Sequence, residues 1–126
     1  MAPLVAVVDD DISVRESLES LIRSAGMEAR VFASAEEFLD PPHPHKPDCL
    51  ILDVRLPGMS GVELHRHLVS RSYQVPVVFI TAHASDDQAR LQAASEWTVA
   101  YLTKPFGEEE LLDAVDSALK WKSPNG

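Results

Sequence analysis

The chain of 126 residues, 45% of them hydrophobic, is long enough for one domain with its own core. A formal net charge of −9, from 11 basic and 20 acidic residues, argues against direct binding of nucleic acid by this domain. No run approaches the roughly 20 apolar residues that a membrane helix needs, and the N-terminus lacks the positive region of a signal peptide, so we expect a cytoplasmic protein without membrane association.

Short apolar runs alternate with amphipathic segments along the chain. Five apolar runs are predicted as strands: Leu4–Val8, Ala29–Phe32, Cys49–Leu52, Val77–Ile80 and Val99–Leu102. Five amphipathic segments are predicted as helices: one before Gly26, one opened by Ser34, one from Ser60 to about Arg71, one opened by Ser85 and one after Gly107. Strands so continuously apolar are typical of a parallel sheet covered on both faces, so the predicted fold is α/β, a doubly wound five-stranded sheet of flavodoxin-like order 2-1-3-4-5.

Three of the helix starts carry a capping-box pattern, a serine followed three residues later by Glu or Gln. The pairs are Ser34 with Glu37, Ser60 with Glu63 and Ser85 with Gln88. The last helix begins instead with three glutamates, which the helix macrodipole favours. We expect residues 1–121 to form the domain and residues 122–126 to be the start of a linker or an artificial end.

Reactive side chains follow the predicted strands directly. Asp9, Asp10 and Asp11 follow strand 1, Asp53 follows strand 3, Thr81 follows strand 4 and Lys104 follows strand 5. In an open parallel sheet, ligands bind outside the carboxyl ends of the strands, where the strand order reverses. For the order 2-1-3-4-5 this point lies between strands 1 and 3, so the aspartates are predicted to converge there.

Carboxylates brought this close repel each other unless a cation neutralises them. Oxygen ligands without Cys or His favour a hard divalent ion, Mg²⁺ or alternatively Mn²⁺. A metal, the Lys104 ammonium and the Thr81 hydroxyl around one carboxylate would make a receptor for a phosphoryl group. Asp53 stands alone at its strand end and is the candidate nucleophile, whereas the adjacent Asp9 and Asp10 can share the cation.

Four segments resemble the receiver domain of bacterial two-component response regulators, which has the CheY-like fold. Their sequences are most similar to those of FixJ-like receivers. The segments are Val7–Asp10, Leu52–Gly61, Phe79–Ala82 and Tyr101–Phe106. The resemblance covers nearly the whole chain. It implies that Asp53 accepts a phosphoryl group from a histidine of a sensor kinase, and that the chain is not an enzyme beyond catalysing its own phosphorylation and dephosphorylation.

The resemblance also implies a role for each residue of the site. Mg²⁺ would be bound by Asp10, Asp53, the backbone carbonyl of Arg55 and, through water, Asp9. Lys104, whose peptide with Pro105 is typically cis in the family, and Thr81 would contact the phosphoryl group. Thr81 and Tyr101 would act as a switch that reshapes the surface of the fourth helix, fifth strand and fifth helix. That surface would form a homodimer and control an output, above all transcription.

One segment departs from the family. Receivers of this kind usually carry a small Ala-Gly-Ala run before strand 5, where this chain has Glu96-Trp97-Thr98. Because glycine tolerates a positive φ that Trp97 does not, we expect an altered loop with Trp97 partly buried. Trp97, Ala82 and His83 are candidate modulators of the site.

Other interpretations stay open at this point. Asp11 alone reads as a helix cap, and His43 and His45 as ordinary loop residues. A phosphohydrolase of the haloacid dehalogenase type would need a second aspartate where this chain has Arg55. A flavodoxin-like cofactor binder would carry Ser, Thr and Gly after strand 1. A stand-alone receiver, acting in a phosphorelay or as an interaction module, is the alternative to a transcriptional role.

Overall fold

The structure, a computed structural model, describes residues 2–40, 46–82 and 95–121. The strands are β1 Leu4–Val8, β2 Glu28–Phe32, β3 Cys49–Asp53, β4 Val77–Thr81 and β5 Thr98–Thr103. The helices of these ranges are α1 Ile12–Ser24, α2 Ala35–Leu39, α3 Gly61–Ser70 and α4 Glu108–Leu119. The helix predicted from Ser85 lies outside the described residues, so α4 is the fifth predicted helix. Over these ranges, no helix combines the length and apolarity needed to cross a membrane.

The five strands form one sheet in the order β2-β1-β3-β4-β5, and every neighbouring pair is parallel. The predicted fold class and strand order are therefore confirmed. Val8 at the end of β1 is in register with Leu52 of β3. This register places Asp9, the next residue after β1, beside Asp53 at the end of β3.

The core has two layers because alternate strand residues face opposite sides of the sheet. On one side, side chains such as Leu50, Leu52 and Phe79 pack with residues of α2 and α3. On the other side, Val7 and Ile51 pack with residues of α1 and α4. Helices thus cover both faces, as the apolar strands predicted.

Four strands extend beyond their apolar runs into polar residues. β2 begins at Glu28, β3 ends at Asp53, β4 ends at Thr81 and β5 runs from Thr98 to Thr103. The ladder continues because backbone hydrogen bonds define a strand, whatever the side chain. The predicted bounds were therefore too short, and Asp53 and Thr81 lie in the rigid sheet rather than in loops.

Within the described residues, the helix starts follow the predicted capping patterns with one exception. α1 is capped by Asp11, whose Oδ1 accepts from the Ser13 N–H at 2.8 Å. α3 begins with the complete capping box of Ser60 and Glu63. At α2, Ser34 does accept from the Glu37 N–H, but the Glu37 carboxylate accepts from the Ala33 N–H and not from that of Ser34. The reciprocal half of this box was wrongly predicted, because Glu37 reaches one residue further back.

Candidate functional site

Lys104 joins the ends of β1 and β3. Its Nζ lies 2.8 Å from Oδ2 of Asp9 and 3.1 Å from Oδ2 of Asp53. Asp9 is fully buried and Asp53 is 6% exposed, so both ion pairs are shielded from bulk water. The predicted convergence of strands 1, 3 and 5 at this edge is confirmed in the distances.

Three carboxylates meet beside this lysine. Asp9, Asp10 and Asp53 each offer an oxygen within 4.8 Å of the others. Two of these residues are buried and Asp10 is exposed, so the cluster is open on one side. A set of carboxylate oxygens at this spacing fits a hard divalent cation. Asp11 is not part of the cluster and acts as the helix cap.

Asp9 is held by contacts that the sequence did not reveal. Its Oδ1 accepts from the Asp11 N–H at 2.9 Å, and its backbone carbonyl accepts from the Arg15 guanidinium at 2.8 Å. Arg15 lies on the first turn of α1, which starts at the same edge of the sheet. The sequence did offer a signal for this contact, because a basic residue stands one turn into the helix that follows the aspartates after strand 1.

The Asp53 carboxylate is under opposing influences. Burial, followed by the charge of Asp9, raises its pKa to about 6, while the bond to Lys104 and the Arg55 N–H, 3.1 Å from Oδ1, act to lower it. Partial burial alone would lower the pKa of Lys104, but its bonds to both aspartates outweigh burial and raise that pKa. Near pH 7 the site therefore holds an ionised Asp53 whose charge depends on Lys104.

The loop from β3 to α3 is fixed at two points. A Cβ at Gly61 would lie 1.9 Å from the Asp53 carbonyl oxygen, so only glycine permits this approach. Two residues before Gly61, the Met59 N–H donates to Oε2 of Glu36 at 2.9 Å, and this bond lowers the pKa of Glu36. Arg55 lies within the loop. Glu36, on α2, was not singled out in the sequence.

Thr81 and Tyr101, the predicted switch pair, lie on neighbouring strands. Thr81 is fully buried at the end of β4, and its carbonyl accepts from the Lys104 N–H at 2.7 Å. The Tyr101 ring is partly buried, with its centroid 6.1 Å from that of Phe79, and its hydroxyl oxygen is buried. The Lys104–Pro105 peptide is cis.

The candidate modulators differ in what can be said of them. Ala82 is exposed directly after β4, and His83 lies outside the described residues. Trp97 is partly buried, as predicted, and its carbonyl accepts from the Val77 N–H at 2.8 Å. Among the described non-glycine residues, Ser72 alone has a positive φ. The departure at Trp97 is therefore accommodated in ordinary backbone, without the left-handed conformation that glycine would permit.

Residues 5–116 match the family model described as "Response regulator receiver domain". The chain belongs to this family. Receiver domains interact with histidine kinases and work in phosphorylation-based two-component signalling, and this receiver domain has the acidic cluster that could bind a metal.

Individual proteins with similar sequences support the assignment to this family. Nodulation protein W of Bradyrhizobium diazoefficiens is 45% identical over 115 residues, which are 91% of this receiver domain and 50% of that protein. The transcriptional regulatory protein FixJ of Azorhizobium caulinodans is 36% identical over 122 residues, which are 97% and 57% of the two chains. The solved structure of the response regulator StyR is 46% identical with a TM-score of 0.81, covering 95% of this chain and 60% of that one. The receiver domain spans about half the length of the curated relatives it matches.

Proposed function

We propose that this receiver domain takes a phosphoryl group from a sensor histidine kinase onto Asp53 and thereby controls an output, above all transcription. The observation that carries the proposal is the bridge of Lys104 between Asp9 and Asp53, with Asp10 at the open side of the cluster. Residues 1–121 would form the domain. The transcriptional output is supported by relatives named as transcriptional regulators, such as FixJ.

The metal would be Mg²⁺, or alternatively Mn²⁺. Its ligands would be Asp10, Asp53 and the Arg55 carbonyl, with Asp9 acting through water, and the three-carboxylate donor set fits such an ion. When bound, it would neutralise negative charge on the phosphoryl oxygens.

In the proposed reaction, one Asp53 carboxylate oxygen attacks the phosphorus of a phosphohistidine. A P–O bond forms, the P–N bond breaks, and the imidazole leaves with the electron pair and takes up a proton. Lys104, now drawn to the new phosphoryl oxygens, stabilises their charge. The chain would catalyse only this phosphorylation and the later hydrolysis of its own acyl phosphate.

The proposed response begins at Thr81, whose hydroxyl would turn toward the phosphoryl group. Tyr101 on the adjacent strand would then pack further inward. This movement would reshape the surface formed by β5, α4 and the predicted helix before β5, and two phosphorylated copies would dimerise through it. The Thr81 carbonyl already bonds the Lys104 N–H, so the two phosphoryl-contacting residues share one backbone link.

The test uses acetyl phosphate with Mg²⁺ as a small phosphodonor, and intact-protein mass as the readout. We expect one phosphoryl group on the wild-type chain and none on Asp53→Asn. Asp10→Asn should need a higher Mg²⁺ concentration for the same labelling, while Asp11→Asn, which preserves the helix cap, should not. Labelling of Asp53→Asn at the wild-type level would show that the acceptor is elsewhere.

A further inference from the structure

A buried histidine on α3 has no part in the proposed chemistry. His65 is 3% exposed, and its Nε2 lies 2.7 Å from the hydroxyl oxygen of Ser95. Burial lowers the pKa of His65, so the ring is neutral near pH 7 and carries one donor and one acceptor nitrogen. The contact joins α3 to the segment directly before β5, 30 residues away in sequence.

The Ser95 hydroxyl is the centre of that segment. It accepts from the Trp97 N–H at 3.1 Å and lies 3.3 Å from Oγ1 of Thr98, the first residue of β5. The segment is also held by Trp121, two residues after the end of α4, whose Nε1 donates to the Glu96 carbonyl at 2.8 Å. A displacement of Ser95 would therefore change the contacts at the start of β5 and the surroundings of both tryptophans of the chain.

His65 also reaches Tyr101 through an aromatic row. The His65 ring meets Phe79 edge to face, with centroids 5.3 Å apart, and Phe79 lies 6.1 Å from Tyr101. Tyr101 stands three residues after Thr98 in the same strand. His65 thus contacts the surroundings of Tyr101 by two routes, ring packing across β4 and hydrogen bonding through Ser95.

We propose that His65 is a positioning residue for the switch, which fixes the start of β5 through Ser95 and so sets how Tyr101 and its strand respond to a phosphoryl group on Asp53. The inference rests on the proposed function. If the His65 ring only filled space in the core, an apolar side chain of similar size would replace it without any effect on the switch. The proposal differs because the 2.7 Å bond to Ser95, and not the volume of the ring, is what couples α3 to β5.

The test compares variants that keep or remove this bond. His65→Gln places an amide near the Nε2 position and Ser95→Thr keeps the hydroxyl, whereas His65→Leu and Ser95→Ala remove the bond. His67→Gln is the matched control, since His67 is a partly exposed histidine on the same helix. All are made in the otherwise unchanged chain, whose two tryptophans both contact the segment, so that tryptophan fluorescence reports on it. Acetyl phosphate with Mg²⁺ is the probe, and labelling of Asp53 is measured by mass in the same samples.

We expect labelling to change the tryptophan fluorescence, and the change to shrink at least two-fold in His65→Leu and Ser95→Ala. It should persist in His65→Gln, Ser95→Thr and His67→Gln, with Asp53 labelled to a similar extent in all. In the double variant His65→Leu/Ser95→Ala, the fluorescence change should be no smaller than in either single variant, because both substitutions remove the same bond. If His65→Leu does not fold, Ser95→Ala against Ser95→Thr decides alone. With full labelling of Asp53, the inference alone is overturned if the fluorescence change in His65→Leu and Ser95→Ala is as large as in the parent chain, or if the parent shows no change. Absence of labelling in the parent overturns the proposed function as well.

Discussion

At the scale of single residues, Asp53 shows how the site is balanced. A nucleophilic carboxylate must be ionised, yet burial and the charge of Asp9 raise the pKa of Asp53 to about 6. Lys104, 3.1 Å away, is the nearby positive charge that makes ionisation tolerable. In the metal-free protein the charge on Asp53 therefore opposes folding at neutral pH.

The pH dependence of this effect has a definite sign. Because the pKa is raised from an ordinary value of 3.8 to about 6, the folded state holds a proton between these pH values that the unfolded state has lost. The contribution of Asp53 to stability therefore falls as pH rises from 4 to 6, and stays low above that. In EDTA at pH 8, we expect Asp53→Asn to be more stable than the wild type, by up to about 3 kcal/mol at roughly 1.4 kcal/mol per pKa unit.

Urea unfolding in EDTA at pH 4.5, 6 and 8 measures this difference, which should shrink toward the lowest pH. Asp11→Asn is the control, because it removes an exposed aspartate at the same edge of the sheet while keeping a residue type that caps α1. The prediction is wrong if Asp53→Asn is the less stable protein at pH 8, or if its advantage is independent of pH.

At the scale of elements, the loop from β3 to α3 carries the proposed metal-binding carbonyl of Arg55. Gly61 is pressed against the Asp53 backbone at one end of this loop. Gly58, with φ +74°, and Met59 come shortly before Gly61 in the chain and are held against Glu36 of α2. The loop is thus tied to two elements, although Arg55, Pro57 and Gly58 are exposed.

Glu36 should therefore influence metal affinity without touching the metal. We expect Glu36→Ala to raise the dissociation constant for Mg²⁺ about three-fold, through loss of the charge-assisted bond to Met59. Glu37→Ala removes the same charge from the same turn of α2, and its bond is to Ala33 instead. Isothermal titration with MgCl₂ measures both variants, and equal affinities would show that Glu36 does not position the loop.

The sequence predicts the fold and the meeting of the site residues, but not the side-chain contacts that hold the surrounding segments. The strands, their order and the meeting of Asp9, Asp53 and Lys104 follow from apolar runs and from the topology of a parallel sheet. The bonds from Glu36 to Met59 and from His65 to Ser95 join segments 23 and 30 residues apart. Nothing in the local pattern of one sequence specifies such pairs, because they depend on how two finished elements pack.

At the scale of the whole molecule, a groove adjoins the site at Lys104. The groove has a volume of about 520 Å³ and is mostly apolar, and it lies between α1 and the segment that begins with Lys104. Its lining residues are Ser13, Val14, Ser17, Leu18, Lys104, Pro105 and Phe106. Ile12, adjacent to Ser13, is 60% exposed, and Val69 on α3 is the other large hydrophobic residue exposed in the described ranges. A partner that delivers a phosphoryl group to Asp53 would cover Ile12 and this groove.

Ile12 should therefore matter for a protein donor and not for a small one. We expect Ile12→Ser to slow phosphotransfer from a histidine kinase at least three-fold, a loss of order 0.7 kcal/mol that fits one partly buried aliphatic side chain. Labelling by acetyl phosphate should stay within two-fold, because that donor needs only the site itself. Val69→Ser is the matched control, since Val69 lies in the last turn of α3, at the end of the helix remote from Asp53. Equal slowing by both variants, or slowing of both donors by Ile12→Ser, would show that Ile12 is not a specific contact of the kinase.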